Sequence, residues 1–248
     1  MTQPETGFIE LLVVDPDSVP PSHRPPAHIP RPELQTLSSR AGRALAHAGV
    51  PFQAATDLAW AWQHLGAAAI GCTILGRLGR GEMDAQLETM FAQPWEILEM
   101  AAMSLGFSDV MSAIDLCADA VLLICGLKPK KTGRFYDLGE LKKQEGTLTA
   151  PPGLRTWIDQ LLAHSDLALL EVCRQHLTHR TPRRNIIYRL DDRGFPRERE
   201  LAEITTLHGT DPAQWRGSIA DLVPRLLGFG EDQLEALCTA ILTPIPAP

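Results

Sequence analysis

SDVMSAIDLCADAVLLICG, residues 108–126, sets Val110, Ile114, Cys117, Val121 and Ile124 on one side, and Ser108, Ser112, Asp115 and Asp119 in a polar stripe. Steps of three and four residues are those of an α-helix, not a strand. The stretch predicts a core helix with one wet edge, opening on Ser108 as its cap and stopping at Gly126. Upstream, a helix is expected over about Thr56–Leu75, with Thr56 as side-chain N-cap and the glycine-rich GRLGRGE (76–82) closing it. Two shorter helices follow, about Glu82–Ala92 and Pro94–Leu105, Pro94 suiting a first helical position.

Downstream, the basic loop KPKKTGR (128–134) precedes a long amphipathic helix starting near Pro152. Its apolar positions include Leu154, Trp157, Ile158, Leu161, Leu169, Cys173 and Leu177, and Pro182 disfavours helix at Thr181, so it should stop near Arg180. Helices over about Asp211–Leu227 and Glu231–Leu242 complete the chain before TPIPAP. The expected fold is mainly α: a helical bundle with an extended N-terminal arm, a small C-terminal helical extension and at most a minor β fragment. Asp15–Pro32 holds seven prolines and reads as an extended arm or linker. FIELLVVD (8–15) resembles a strand that NIIYRL (185–190), followed by a turn-like Asp-Asp-Arg-Gly, would partner. The chain then divides into residues 1–50, strand and arm; 51–184, bundle core; and 185–248, a basic segment with helices packed on the core.

At 248 residues and 44% hydrophobic, the chain can bury one large core. Its five cysteines lack regular spacing and mostly lie in apolar helical runs, as reduced buried thiols do. The polar MTQPETG start, and apolar runs short of the roughly 20 residues of a membrane span, lead to the expectation of a soluble cytoplasmic protein with no membrane partner. A net charge of −7 argues against a surface that coats nucleic acid throughout. Locally the balance reverses: from 174 to 199 stand Arg174, Arg180, Arg183, Arg184, Arg189, Arg193, Arg197 and Arg199 against Asp191, Asp192 and Glu198.

EVCRQHLTHRTPRRN (171–185) gathers Arg174, His176, His179 and Arg180 in the last turns of the long helix. Cations there gain about 0.3–1 kcal/mol each from the helix dipole, so a purely structural role stands beside any functional one. The Arg174-x4-His179 element in a helical bundle also resembles the HEPN superfamily (higher eukaryotes and prokaryotes nucleotide-binding domains), whose signature is Arg-x4–6-His. The resemblance covers roughly Thr56–Arg184 and departs from the family at Gln175, where Asn, Asp or His often follows the arginine. It implies a bundle of four or five helices and a metal-independent endoribonuclease that needs no cofactor. It also implies a homodimer with both motifs in one cleft, and a toxin or effector of a stress or defence system with an inhibitor partner.

In such chemistry His179 would take the proton from a ribose 2′-hydroxyl, and Arg174 would stabilise the charge developing on the phosphate. His176, Arg180, Arg183 and Arg184, with Lys130 and Lys131 of the basic loop, would hold the RNA backbone. On a straight helix Arg174 and His179 point about 140° apart, so either the last turn unwinds or a second subunit completes the site. The alternative is a non-catalytic helical module that docks an acidic partner on its arginine-rich segment.

Other constellations compete. Cys173, His176 and His179 fall at three-residue steps that could ligate zinc, but no fourth ligand is evident. Asp115 with Asp119, Glu96 with Glu99, and Asp57 with His64 are candidate cation ligands, yet Glu-x-x-His pairs are missing and a solvated face explains the aspartates. Trp60, Trp62, Trp95, Trp157 and Trp215 read as core or interface packing. No Walker loop, dinucleotide fingerprint or nucleophile elbow occurs, so the usual kinase, dehydrogenase and hydrolase classes drop out.

Overall fold

The computed structural model describes residues 31–83, 94–130, 135–174, 186–190, 192, 196–201 and 217–243. It is mainly α-helical: seven helices and one small sheet among the described residues. In chain order these are α1 (Pro32–His47), α2 (Phe52–Gly79), α3 (Pro94–Ile124), α4 (Leu138–Gln144), α5 (Pro152–Ala163), α6 (Ser165–Cys173) and, after the strands, α7 (Ile219–Leu242).

Helices α2 and α3 run antiparallel through the middle, and glycine sets how closely they approach. A Cβ on Gly71 of α2 would lie 2.5 Å from the Ala102 carbonyl oxygen of α3 and 2.9 Å from the Gly106 nitrogen. A Cβ on Gly106 would in turn meet Val223 of α7 at 2.6 Å. Gly230 of α7 is pressed the same way against Leu65 and Val110. Around these crossings lie Ala61, Leu65, Ala68, Met103, Phe107, Val110, Ile114, Leu222, Val223 and Leu226, all buried. α1 packs on both α2 and α7 with Leu34, Ala41 and Leu45 buried, and Arg31 at its start reaches the Glu231, Asp232 and Glu235 carboxylates of α7. α5 lies on α7, where the buried Trp157 Nε1 donates to the Gln233 carbonyl at 3.0 Å.

Several expected boundaries moved. α2 starts at Phe52, and Thr56 is no cap: its hydroxyl donates back to the Phe52 carbonyl at 3.2 Å inside the helix. Pro94–Leu105 and Ser108–Gly126 are one helix, because Gly106 serves the contact with α7 and Ser108 accepts from the Ser112 hydroxyl within it. Its end is as expected. Gly126 adopts φ 92°, and the Gly126 and Leu127 N–H groups return to the Leu123 and Leu122 carbonyls, a Schellman close.

The long helix from Pro152 is instead two. His164 is extended, and its Nδ1 accepts from the Asp166 N–H as the cap of α6. At the C-terminus the reverse holds: α7 is continuous through Pro224, Gly228 and Gly230, since burial of its apolar face outweighs these local breakers. NIIYRL does form a strand, β1 (Ile186–Leu190), but its partner is β2 (Pro196–Leu201), antiparallel across the Asp-Asp-Arg-Gly stretch. β3 (Gly217–Ser218) pairs with β2 and leads into α7. Phe8–Asp15 and the expected arm, up to residue 30, lie outside the described residues, and Pro32–His47 is a helix of the core.

α2 is long and apolar enough by length and composition alone to cross a membrane, and 44% of its most apolar window is buried in the fold. Here α1, α3 and α7 pack on it.

Gly71→Ala is expected to destabilise by about 2 kcal/mol or more, because backbone, not a flexible side-chain end, occupies the space. Gly146→Ala, with nothing within 4 Å, should shift thermal unfolding little.

Candidate nucleic-acid interface

One stretch of α3 organises an edge of the molecule through two aspartates. Asp115 and Asp119 are a helical turn apart and both face the segment that follows the basic loop. Asp115 Oδ1 accepts the Leu138 N–H at 3.0 Å, and Asp119 Oδ1 accepts the Tyr136 N–H at 3.1 Å. The expected solvated face is therefore corrected: Asp119 is fully buried and Asp115 half-buried, because the chain from Phe135 to Leu138 folds back over them. That segment is closed locally as well. Asp137 caps α4 by accepting the Glu140 N–H at 2.8 Å, Tyr136 Oη donates to the Lys128 carbonyl at 2.8 Å, and Lys130 Nζ donates to the Phe135 carbonyl at 3.2 Å. Lys130 also stands 4.4 Å from the centre of the Tyr136 ring, a cation–π contact.

Each aspartate reaches a second element. Asp115 Oδ2 lies 3.7 Å from Arg174 Nη1, at the C-terminal end of α6. Asp119 Oδ2 accepts from Gln53 Nε2 at 2.8 Å, at the start of α2. Lys142 of α4 reaches Glu171 of α6 at 2.6 Å, and Arg155 of α5 donates to the Glu145 and Leu148 carbonyls, which fixes α4 in place. The result is a continuous edge running from Phe52 and Gln53 past Phe135, Tyr136, Lys128 and Lys130 to Arg174.

Of the expected site residues, the structure thus brings Arg174 and Lys130 to one edge, and half-exposed Arg174 keeps its guanidinium beside a carboxylate. His176, His179, Arg180, Arg183, Arg184 and Lys131 lie outside the described residues. Within the arginine-rich stretch, Arg189 takes the register position opposite Glu198, and Arg199 that opposite Tyr188. Cys173 is fully buried and its thiol is pushed up to about 12 by burial, the state of a core thiol and not of a ready metal ligand. His64 pairs with Asp109 at 2.5 Å and not with Asp57, and no group of three His, Cys, Asp or Glu side chains among the described residues is placed to hold a metal. Trp157 is core, whereas Trp60 is 54% exposed.

Behind the edge sits a group that sequence reasoning did not single out as a pair. Asp57 of α2 is fully buried against Asp119, and no donor reaches either of its oxygens. Burial, then the charge of Asp119, pushes its carboxyl up to about 8, while burial also raises Asp119 against the pull of its Tyr136 and Gln53 donors. Since Asp119 has two fixed donors and Asp57 has none, the pair holds one proton at neutral pH, carried by Asp57 and donated to Asp119. No periodicity links residues 57 and 119, so only the fold reveals the pair.

The chain matches no family model, no curated protein and no solved structure. A row of two lysines, an arginine and exposed aromatic rings is suited to polyanions that also present flat apolar faces.

The shared proton has a stability signature. Asp57 is protonated in the fold up to about pH 8 but ionised above about 4 when unfolded, so its contribution is whole below pH 4 and is lost as pH rises through 8. Asp57→Asn keeps a donor toward Asp119 with no proton to lose. Thermal unfolding should find it close to wild type at pH 4 and more stable at pH 8.5; equal gains at both values would refute the shared proton.

Proposed function

We propose that this protein binds RNA along the edge from Phe52 to Arg174, and that Arg174 with His179 cleaves it without a metal. The observation that carries this reading is the joining of Arg174 to the Phe135–Leu138 segment through Asp115 and the Leu138 N–H. The Arg-x4-His resemblance to HEPN proteins chose Arg174 from the sequence alone, and the basic aromatic segment beside it supports a polyanionic substrate.

In the cleavage step His179 removes the proton of a ribose 2′-hydroxyl, and the freed oxygen bonds to the adjacent phosphorus in line with the departing 5′-oxygen. The bond from phosphorus to that oxygen breaks, and the 5′-oxygen takes a proton, from His176 or water, leaving a cyclic phosphate and a 5′-hydroxyl. Arg174 stabilises the charge on the phosphoryl oxygens. The same reading makes the protein a cytoplasmic homodimer, with two motifs facing one cleft, acting as a toxin or defence effector under an inhibitor partner. A binding module without catalysis is the second reading, favoured by the Asp115 carboxylate that competes with phosphate for Arg174.

Incubation of the purified protein with labelled RNA in EDTA tests both. Cyclic-phosphate products are expected, with the rate lowered about 100-fold or more in Arg174→Ala and in His179→Ala. RNA that is bound but left intact across varied sequences would leave the binding module, and absence of binding would discard both readings.

A further inference from the structure

We propose that Phe52 and Phe135 form a stacking platform for unpaired bases of an RNA strand at the end of the edge away from Arg174. This rests on the RNA-binding reading and specifies its substrate: single-stranded, not duplex. Phe52 is 81% exposed, the most exposed large hydrophobic side chain among the described residues, and Phe135 is 53% exposed. Neither ring is needed by the core. Neither sits on a loose segment either, since the residue after each is anchored on the same buried carboxylate, Gln53 through Asp119 Oδ2 and Tyr136 through Asp119 Oδ1. One carboxyl group thus fixes the α2 start and the Phe135 segment against each other and holds both rings out on one edge.

The charge around the rings selects the occupant. Exposed Lys128 and half-buried Lys130 flank Phe135, Lys130 being held to the Phe135 carbonyl and over the Tyr136 ring. The first turn of α2, which Phe52 opens, carries no acidic residue. The remaining exposed large apolar side chains among the described residues, Trp60, Ile70, Ile97 and Met100, lie along the bodies of α2 and α3. At this end, flat rings and ammonium groups are paired with few exposed aliphatic neighbours, as suits bases joined by phosphates. A continuous duplex keeps its bases stacked on each other and offers these rings no face to take.

The probe is a fluorescein-labelled, 2′-O-methylated oligoadenylate of about 10 nucleotides, a usual site size for single strands. Without a free 2′-hydroxyl it stays intact, and binding is read by anisotropy on the full chain. Wild type should bind it, and bind the same strand in a duplex more weakly. Phe52→Ala and Phe135→Ala should each weaken single-strand binding about tenfold, with unchanged thermal unfolding, whereas Phe52→Trp should retain it. Phe52→Leu should lose affinity as the alanine does, because bulk without a flat face does not stack. If wild type binds but the alanine variants bind equally well, or leucine serves as well as phenylalanine, the platform is wrong and RNA binding stands. If wild type binds neither strand nor duplex, both fall.

Discussion

Gly71, Gly106 and Gly230 hold α2, α3 and α7 closer than any side chain at those three positions would allow. The contact is unforgiving because part of what fills the space is backbone, the Ala102 carbonyl and the Gly106 nitrogen, which cannot change rotamer to relieve a clash. Small buried residues continue the seam on both sides: Ala54, Ala61 and Ala68 on α2, Ala102, Ala113 and Ala120 on α3. Two helices packed this tightly leave little choice about what faces what further along. Asp57 and Asp119, several turns from the glycine crossing, come to share one buried space for that reason.

A buried carboxyl without a donor is expensive, and placing a second carboxylate beside it is more so. The fold answers by giving Asp119 the Tyr136 N–H and the Gln53 amide, and by leaving Asp57 to keep a proton. The outlay is not wasted structurally, because the same Asp119 that accepts the hydrogen bond of Asp57 fastens the Phe135–Leu138 segment to the start of α2. One turn earlier Asp115 repeats the arrangement with Leu138 and Arg174. The polar stripe of α3 is thus the internal support of a surface, and the basic edge owes its shape to buried acids.

The sequence made the helical class plain because apolar residues at three- and four-residue steps dominate it, and Gly126 marked a true helix end. What it misplaced has a common cause. Gly106, Gly228 and Gly230 look like breaks by local propensity, yet each lies inside a helix where tertiary packing outweighs the local cost. His164 has the opposite history: its signal, a ring nitrogen accepting the Asp166 N–H, is invisible against the strong apolar period that runs across it. The polar stripe from Ser108 to Asp119 was legible as a stripe, but not that half of it would be covered, since the covering chain lies 17 to 23 residues away. Arg174 stood out in the sequence through its motif, but its Asp115 neighbour, 59 residues earlier, did not. Phe52 and Phe135 carried no signal, because exposure is a property of the fold.

Electrostatics ties the acidic support to the basic edge. The net charge of −7 would repel a polyanion from an evenly charged surface, so any attraction of one would have to be local and short-ranged, within a Debye length of about 8 Å at physiological salt. The buried acids are placed so that they oppose it little. Asp57 is neutral through its proton, Asp119 is covered and offset by two donors, and burial also raises Asp115 despite the Leu138 N–H and Arg174 that hold it down. Arg174 is one of the groups keeping Asp115 ionised, so an anion that draws Arg174 away makes Asp115 bind a proton more readily. Protonation of Asp115 would, in turn, remove the charge that stands 3.7 Å from the Arg174 guanidinium. Protonation of Asp115 and anion binding at Arg174 would favour each other by linkage.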